Sequence, residues 1–189
     1  VYIENILAAI ARTAPERGMV IYSSFWNEPR RLSQLKLPKG PNVSVLYKRF
    51  PQRLSFFLDE LGISVTEKWL LADAVDLFHG LGNIVPALKT IPSVVTIHHV
   101  GMGYDIKGPW QRWYFGYLPR RSVERARAVI TVSRFSKDDV VSFYGAAPGK
   151  VHAIHHGGPG AEFKPVSESQ IAPFPYILSV GGIHERKNP

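Results

Sequence analysis

The sequence predicts an α/β fold, a parallel sheet flanked by helices. Three observations predict it: short apolar runs rich in β-branched residues, helical stretches between them, and turn signals at the junctions. Because at most one polar residue interrupts each run, we expect strands buried on both faces, as in parallel sheets. The predicted strands are 19–22, 43–46, 75–78, 94–97, 128–132 and 151–154.

The helices between these strands are predicted from apolar periodicity at 53–61, 66–73, 110–126 and 136–144. The last is the clearest, because Ser136 and Asp139 have capping-box spacing and Gly145 ends the pattern. Pro119 lies inside the third helix, where a kink or a break is expected. Residues 3–10 also form an apolar helical stripe without a capping residue before it, so we expect a longer chain upstream.

The composition changes near residue 157. From there to residue 175, Gly, Ala, Pro and Ser outnumber large apolar residues, which is typical of a linker. A further strand-like run, 176–180, indicates that a second α/β unit begins. The expected organisation is a domain over 1–165, a linker over 166–172 and the start of a second domain over 173–189.

Composition and charge exclude several classes of protein. With 189 residues, 45% of them hydrophobic, the chain can bury a core, which excludes a disordered tail. It has no cysteine, which excludes thiolate metal sites and is compatible with a reducing cytoplasm. A formal net charge of +8 favours anionic partners such as nucleotides, phosphorylated sugars or acidic lipids. No apolar run approaches the roughly 20 residues of a membrane span, so we expect a soluble protein, at most peripheral to a membrane.

Candidate site residues follow the predicted strands, because ligands of parallel sheets bind beyond the carboxyl ends of the strands. His98 and His99 follow the fourth strand, and either can face a cleft. The structural alternative is a His bonded to a neighbouring carbonyl. Ser133 follows the fifth strand and leads into a helix whose N-terminal N–H groups favour an anion, unless Ser133 and Ser136 only compete to cap that helix.

The strand predicted at 176–180 is followed by glycines and basic residues. Gly181 and Gly182 allow close approach of the backbone to a ligand, and Arg186 and Lys187 are placed to meet phosphate charge, although such a pair is also typical of a solvated face. The sequence has no D-x-D pair of carboxylates to hold a divalent metal, so we expect a metal-independent reaction. A zinc site is not expected, because the remaining candidates lack H-E-x-x-H spacing and Cys companions: His152, His155 and His156.

The order of several motifs resembles glycosyltransferase family 4. These motifs are "PSVVTIHHV", "RARAVITVSRFSKDDVVSFYGAAPGKVHAIHHGG", "FKP" and "YILSVGGIHERKNP". The resemblance implies the GT-B fold, in which two Rossmann-like domains face each other across a cleft. This chain would then hold the acceptor-side N-terminal domain without its first strand, and the first strand of the donor-binding domain.

The resemblance also implies an activity and the roles of individual residues. It implies a retaining, metal-independent hexosyltransferase with a sugar nucleotide as co-substrate and no cofactor, in which His98 contacts the transferred sugar. Arg186 and Lys187, with Gly181 and Gly182, would bind the donor diphosphate. His99 stands where many members have Asp, so the role of that acid does not transfer to it.

The resemblance further implies where the protein works and with what. The expected setting is polysaccharide biosynthesis in the cytoplasm or at the inner face of the membrane. The acceptor would be a glycan, a lipid-linked sugar or a small molecule, with mannosyl or glucosyl as the transferred group. The fragment alone is expected to be inactive.

An aromatic and basic stretch within the third predicted helix has two interpretations. Its aromatic residues keep helical spacing, which favours core packing. The functional interpretation is an acceptor wall or a patch that rests on an anionic membrane. The stretch consists of Trp110, Arg112, Trp113, Tyr114, Phe115, Tyr117, Arg120 and Arg121.

Other classes of function stay open at this point. A non-catalytic sugar- or nucleotide-binding protein of the same fold, or an epimerase of the same two-domain shape, would share these motifs. A nucleic-acid-binding protein is suggested by the net charge alone. Against it, Lys and Arg are spread along the chain and no reader motif is present, so we expect no nucleic-acid partner.

Overall fold

The computed structural model describes residues 2–26, 34–100 and 108–158, which form parallel strands flanked by helices. The α/β class predicted from the sequence is confirmed. The predicted linker and the start of the second domain lie outside the described residues, so the domain boundaries stay predictions.

All pairings between the described strands are parallel. They form a two-stranded sheet of order β1-β2 and a four-stranded sheet of order β3-β4-β5-β6, where the sequence predicted one sheet. Tyr22 of the first sheet lies beside Phe78 of the second, with ring centres 6.3 Å apart. The strands are β1 Met19–Ser24, β2 Val43–Lys48, β3 Phe78–Gly80, β4 Ser93–Ile97, β5 Ala128–Thr131 and β6 Val151–Ala153.

The third strand begins at Phe78, three residues later than predicted, because the preceding helix is still ending there. The N–H of Val75 donates to the carbonyl of Leu70, and Ala74 adopts a positive φ of 51°. These residues therefore form a helix-terminating turn, although Val75 alone is a good strand residue.

The helices alternate with the strands along most of the chain. The predicted helix at 136–144 starts earlier, because Ser133 rather than Ser136 is its N-cap; its C-cap, Gly145, has a φ of 68° as expected for an αL cap. The helices whose bounds lie within the described residues are α1 Tyr2–Thr13, α2 Gln52–Glu60, α3 Val65–Ala72, the segment α4 described below, α5 Arg134–Tyr144 and a short 3-10 helix Pro148–Lys150 before β6.

The interruption predicted near Pro119 takes the form of a π-helical stretch. Segment α4 consists of an α-helical turn Pro109–Gln111, a π-helix Arg112–Tyr117 and an α-helix Leu118–Arg125, without a gap. Pro119 is the second residue of the last part, and the residues before and after it are helical. The π-helical hydrogen bonding lies before the proline, and the helix continues through Pro119 without a break.

The main core lies around the four-stranded sheet. Val95 and Ile97 of β4 and Val129 of β5 are fully shielded from solvent, and Val123 and Val140 pack on them from α4 and α5. Thr96, on the opposite face of β4, is also fully shielded, which confirms burial on both faces for that strand, whereas Ala128 and Ile130 on the opposite face of β5 are only half-buried. Strand β2 differs, because it pairs with β1 on one side only among the described strands and exposes Val45.

The apolar stripe of α1 is only partly buried. Leu7 lies in the interior, whereas Ile3 and Ile10 of the same stripe are exposed. The periodicity predicted the helix correctly but not the extent to which the described residues cover it.

Candidate functional site

The candidate site lies at the carboxyl edge of the four-stranded sheet. Because β3 to β6 are parallel, the segments that follow them leave the sheet on the same side. His98 follows β4, Ser133 follows β5 and His156 lies three residues after the end of β6.

His98 is held by two hydrogen bonds to the segment that follows β3. Its backbone N–H donates to Oδ1 of Asn83 (2.8 Å), and its ring Nε2 lies 2.9 Å from the carbonyl oxygen of Leu81. A carbonyl only accepts, so Nε2 carries the proton and Nδ1 is the acceptor atom of the neutral ring. The structural alternative noted from the sequence, a His bonded to a nearby carbonyl, is therefore realised at His98.

Asn83 shapes the segment that holds His98. It adopts a left-handed φ of 67°, which Asn tolerates better than most residues, and its N–H donates to the carbonyl of Thr96 at 3.0 Å. Gly80 is also required here, because a Cβ at this position would lie 2.4 Å from the carbonyl oxygen of Ile84. The segment thus folds closely over the end of β3 and carries both partners of His98.

Two further rings pack against His98. The Tyr2 ring lies edge-on to it, with centres 4.6 Å apart and an angle of 86°. The His156 ring is nearly parallel to it at 6.1 Å and lies 4.6 Å from Tyr2. Residues from the start of α1, the end of β4 and the segment after β6 therefore meet at one point.

A second histidine lies deeper beside β4. Nε2 of His79 is 2.9 Å from the hydroxyl oxygen of Thr96, which is itself fully buried. Burial lowers the pKa of His79 below its ordinary value, because the charged imidazolium loses hydration there. His79 is thus expected to be neutral near pH 7 and to support the strand that ends at His98.

The hydroxyl of Ser133 is used at the start of α5. It accepts a hydrogen bond from the N–H of Ser136 at 3.0 Å and lies 3.0 Å from the Ser136 hydroxyl oxygen. The capping interpretation therefore describes its contacts in this structure. A contact between Ser133 and a ligand stays a prediction, as does one for His99, which is exposed at the same edge.

The described residues contain neither a metal-binding cluster nor a membrane-spanning helix. Within 2–26, 34–100 and 108–158, no three side chains of the His, Cys, Asp or Glu type lie close enough together to hold a metal ion. No helix in the same ranges is long and apolar enough to cross a membrane.

Comparison with known proteins decides the family. The family model described as Glycosyltransferase Family 4 matches residues 3–157, which is most of the chain. The chain belongs to glycosyltransferase family 4. It is also 28% identical over 106 residues to the O-antigen chain mannosyltransferase RfbU of Salmonella typhimurium. That alignment covers 56% of this chain and 28% of the relative, so the matched region is a little over a quarter of the relative's length.

Family membership confirms the resemblance read from the motif order and supports glycosyl transfer in general. In this family 4 chain, His98 lies at the end of β4, at the edge where the resemblance predicts contact with the transferred sugar. The predicted diphosphate ligands lie outside the described residues, so their role stays a prediction: Gly181, Gly182, Arg186 and Lys187.

Sequence reasoning missed the residues that surround His98. Tyr2 and Leu81 were not singled out, and His156 was considered only as a zinc ligand. Asn83 had one usable signal, because an Asn shortly after a strand and a glycine is a common site of positive φ. No sequence signal indicated the ring contacts among Tyr2, His98 and His156, because these residues are far apart in the chain.

Proposed function

We propose that the full-length protein is a retaining hexosyltransferase that moves a mannosyl group from a sugar nucleotide to a glycan or lipid-linked acceptor. The observation that carries the proposal is the placement of His98 at the carboxyl edge of the sheet in a chain of this family. The choice of mannosyl is supported by the 28% identical relative, which is named as a mannosyltransferase.

The proposed reaction exchanges one glycosidic bond for another. The bond between the anomeric carbon and the diphosphate oxygen breaks, and a bond to an acceptor hydroxyl oxygen forms on the same face of the sugar. The configuration is retained because the new bond forms on the face that the diphosphate leaves. The proton of the acceptor hydroxyl passes to the departing diphosphate, so no pair of protein carboxylates is needed. His98 would contact the transferred sugar, and its hydrogen bonds to Asn83 and Leu81 would fix its orientation.

The leaving diphosphate needs compensation of its negative charge. We assign this role to Arg186 and Lys187, aided by backbone N–H groups near Gly181 and Gly182, as the family motif implies. Charged donors of this kind form the stronger class of hydrogen bonds, and they act most effectively where water is excluded. They would supply the stabilisation that a divalent metal provides in other transferases.

The name of the relative also supports a class of acceptor. That protein acts on an O-antigen chain, which is a polysaccharide. We therefore propose that this protein takes part in polysaccharide biosynthesis, in the cytoplasm or at the inner face of the membrane.

The test uses the full-length protein and a panel of hexosyl nucleotides that includes GDP-mannose and UDP-glucose. Release of nucleoside diphosphate is followed by chromatography in the presence of EDTA, with and without added glycan acceptors. We expect release from GDP-mannose under these conditions, and an unchanged anomeric configuration of the product by NMR. Consumption of none of the donors would contradict sugar-nucleotide transfer, and a requirement for an added divalent cation would contradict metal independence.

A further inference from the structure

Helix α2 exposes an apolar stripe to solvent. Leu54, Phe57 and Leu61 follow one another at helical spacing, and 43%, 41% and 61% of their surfaces remain accessible. An amphipathic helix normally turns such a stripe toward the core. Here the core contacts come instead from Ser55, Phe56 and Asp59.

Segment α4 extends this exposed surface. The ring of Phe57 lies 6.2 Å from that of Trp113, which in turn lies 5.4 Å from Trp110. Trp110 is 58% exposed, so the row of rings leads from α2 outward to solvent. Phe115 and Tyr117 of α4 are exposed as well. We call this set the aromatic face: Leu54, Phe57, Leu61, Trp110, Trp113 and Tyr117.

The sequence favoured core packing for the aromatic stretch of α4. Trp113 and Tyr114 are half-buried, and the Arg53 guanidinium lies over the Tyr114 ring at 5.2 Å. These two residues therefore serve the contact between α2 and α4. Trp110, Phe115 and Tyr117 do not fit the core interpretation, because each is exposed.

Basic side chains border the aromatic face. Arg53 and Arg112 are exposed on α2 and α4. Lys89, also exposed, donates from Nζ to the carbonyl of Gly62 at 3.0 Å and so lies next to Leu61. The border is therefore positively charged on both helices and at the far end of α2.

The acidic residues of the two helices are neutralised locally. Glu60 forms an ion pair with Arg125 at 2.6 Å, and Glu124 forms one with Arg121 at 2.6 Å. Asp59 is buried, and its Oδ1 accepts hydrogen bonds from the backbone N–H groups of Val65 and Thr66 at the start of α3. Because these acids are paired or hidden, a negatively charged surface approaching the aromatic face meets a net positive charge.

We propose that the aromatic face docks on an anionic lipid surface, with Trp110 and Phe57 entering the interface and Arg53, Arg112 and Lys89 contacting headgroups. Exposed aromatic and aliphatic side chains bordered by Lys and Arg are the chemistry that interfacial binding requires. Charge complementarity selects this occupant, because a purely apolar partner would leave the basic border unmatched. The inference does not depend on the proposed transfer reaction.

The test is co-sedimentation of the full-length protein with phosphatidylcholine vesicles that contain or lack phosphatidylglycerol. We expect binding to the anionic vesicles that weakens with added salt. The double variant Arg53→Gln/Arg112→Gln should bind about 25-fold more weakly, since each basic residue near an anionic surface contributes about fivefold. The double variant Phe57→Ser/Trp110→Ser should lose about tenfold or more.

Matched controls change the same residue types elsewhere on the surface. Arg12→Gln/Arg17→Gln removes two exposed charges from the α1 region, and Val45→Ser/Phe143→Ser removes two exposed apolar side chains. Both controls should bind as the parent does, and thermal melting should show that all four variants are folded. Quenching of Trp fluorescence by brominated lipid should fall in Trp110→Phe.

Three results would overturn the proposal. The first is no co-sedimentation of the parent protein with anionic vesicles at low salt. The second is an equal loss in the control variants, which would assign binding to the overall charge of the chain. The third is unchanged binding when Phe57 and Trp110 are replaced. The assay contains no sugar nucleotide, so none of these results bears on the proposed transfer.

Discussion

At the scale of single residues, His98 forms two hydrogen bonds that fix its position, and it is also the residue proposed to contact the transferred sugar. Its Nε2 proton is committed to the Leu81 carbonyl, and its backbone N–H is committed to Asn83. These bonds fix both the ring and the tautomer before any ligand binds. A fixed donor and acceptor pattern is what electrostatic preorganisation needs, because no reorientation is then required during the reaction.

Replacement of His98 by Ala should lower kcat far more than it lowers stability. By analogy with the loss of one oxyanion donor, we expect a fall of about 10² to 10³ in kcat. The lost bond to Leu81 should cost only about 1 kcal/mol of unfolding free energy. Transfer rates and urea unfolding of the full-length variant measure the two effects, with exposed His152→Ala as control. Unchanged turnover with a lowered unfolding midpoint would instead give His98 a purely structural role.

Asn83 is expected to act as a positioning residue for His98. Asn83→Gly tolerates the φ of 67° but removes the acceptor of the His98 N–H, whereas Asn83→Asp keeps an acceptor oxygen. We expect Asn83→Gly to lower kcat by about tenfold to a hundredfold with little change in KM. Asn83→Asp should restore most of the turnover. Equal kcat in the parent and Asn83→Gly would contradict this role.

At the scale of elements, one carboxylate joins α3 to the segment before β4. Oε1 of Glu67 accepts the backbone N–H groups of Lys89, Thr90 and Ile91 and the Thr90 hydroxyl, at 2.6 to 3.1 Å. Burial alone would raise the pKa of Glu67, but these hydrogen bonds outweigh it and hold the pKa below its ordinary value of 4.5. The ionised Glu67 carboxylate therefore stabilises the segment that leads into β4.

This contact predicts a pH dependence of stability. Because the pKa of Glu67 is lower in the folded chain, its contribution is complete above the unfolded value of 4.5 and is lost as pH falls through the folded value. Glu67→Gln should cost about 1–3 kcal/mol of unfolding free energy at neutral pH, and the difference from the parent should shrink in acid. Urea unfolding at several pH values measures it, with exposed Glu16→Gln as control. A difference that does not change with pH would contradict the assigned role.

Periodicity and turn residues predicted most elements but not their ends. The start of β3 was misplaced because Val75 has strand propensity while its N–H still closes the end of α3. The start of α5 was misplaced because Ser133 and Ser136 each precede a helical pattern, and only the structure shows which hydroxyl accepts an N–H. Local propensity cannot resolve such choices, since tertiary packing selects between neighbouring solutions.

The candidate site was predicted only where it follows directly from strand order. His98 could be placed at the carboxyl edge because it comes immediately after an apolar run. Tyr2 and His156 could not, because their contacts with His98 depend on how α1 and the segment after β6 pack together. The exposed stripe of α2 was also missed, since periodicity shows that a stripe exists and not whether it is covered.

At the scale of the whole molecule, the proposed reaction depends on charge complementarity between the leaving diphosphate and basic residues of a second domain. A family 4 chain with a net charge of +8 and His98 at one sheet edge is proposed to meet a diphosphate held by a second domain. The decisive positive charges are assigned to Arg186 and Lys187. Their contribution should therefore appear in catalysis and not in folding.

The most direct test is the transfer rate of the full-length Lys187→Ala variant, measured with its thermal unfolding midpoint. Loss of one charged contact to the leaving diphosphate should lower turnover by about 10² to 10³, with an unchanged midpoint. Arg127→Ala, which removes an exposed charge just before β5, should leave both quantities unchanged. Parent-like turnover in Lys187→Ala would contradict the assignment of this lysine to the departing diphosphate.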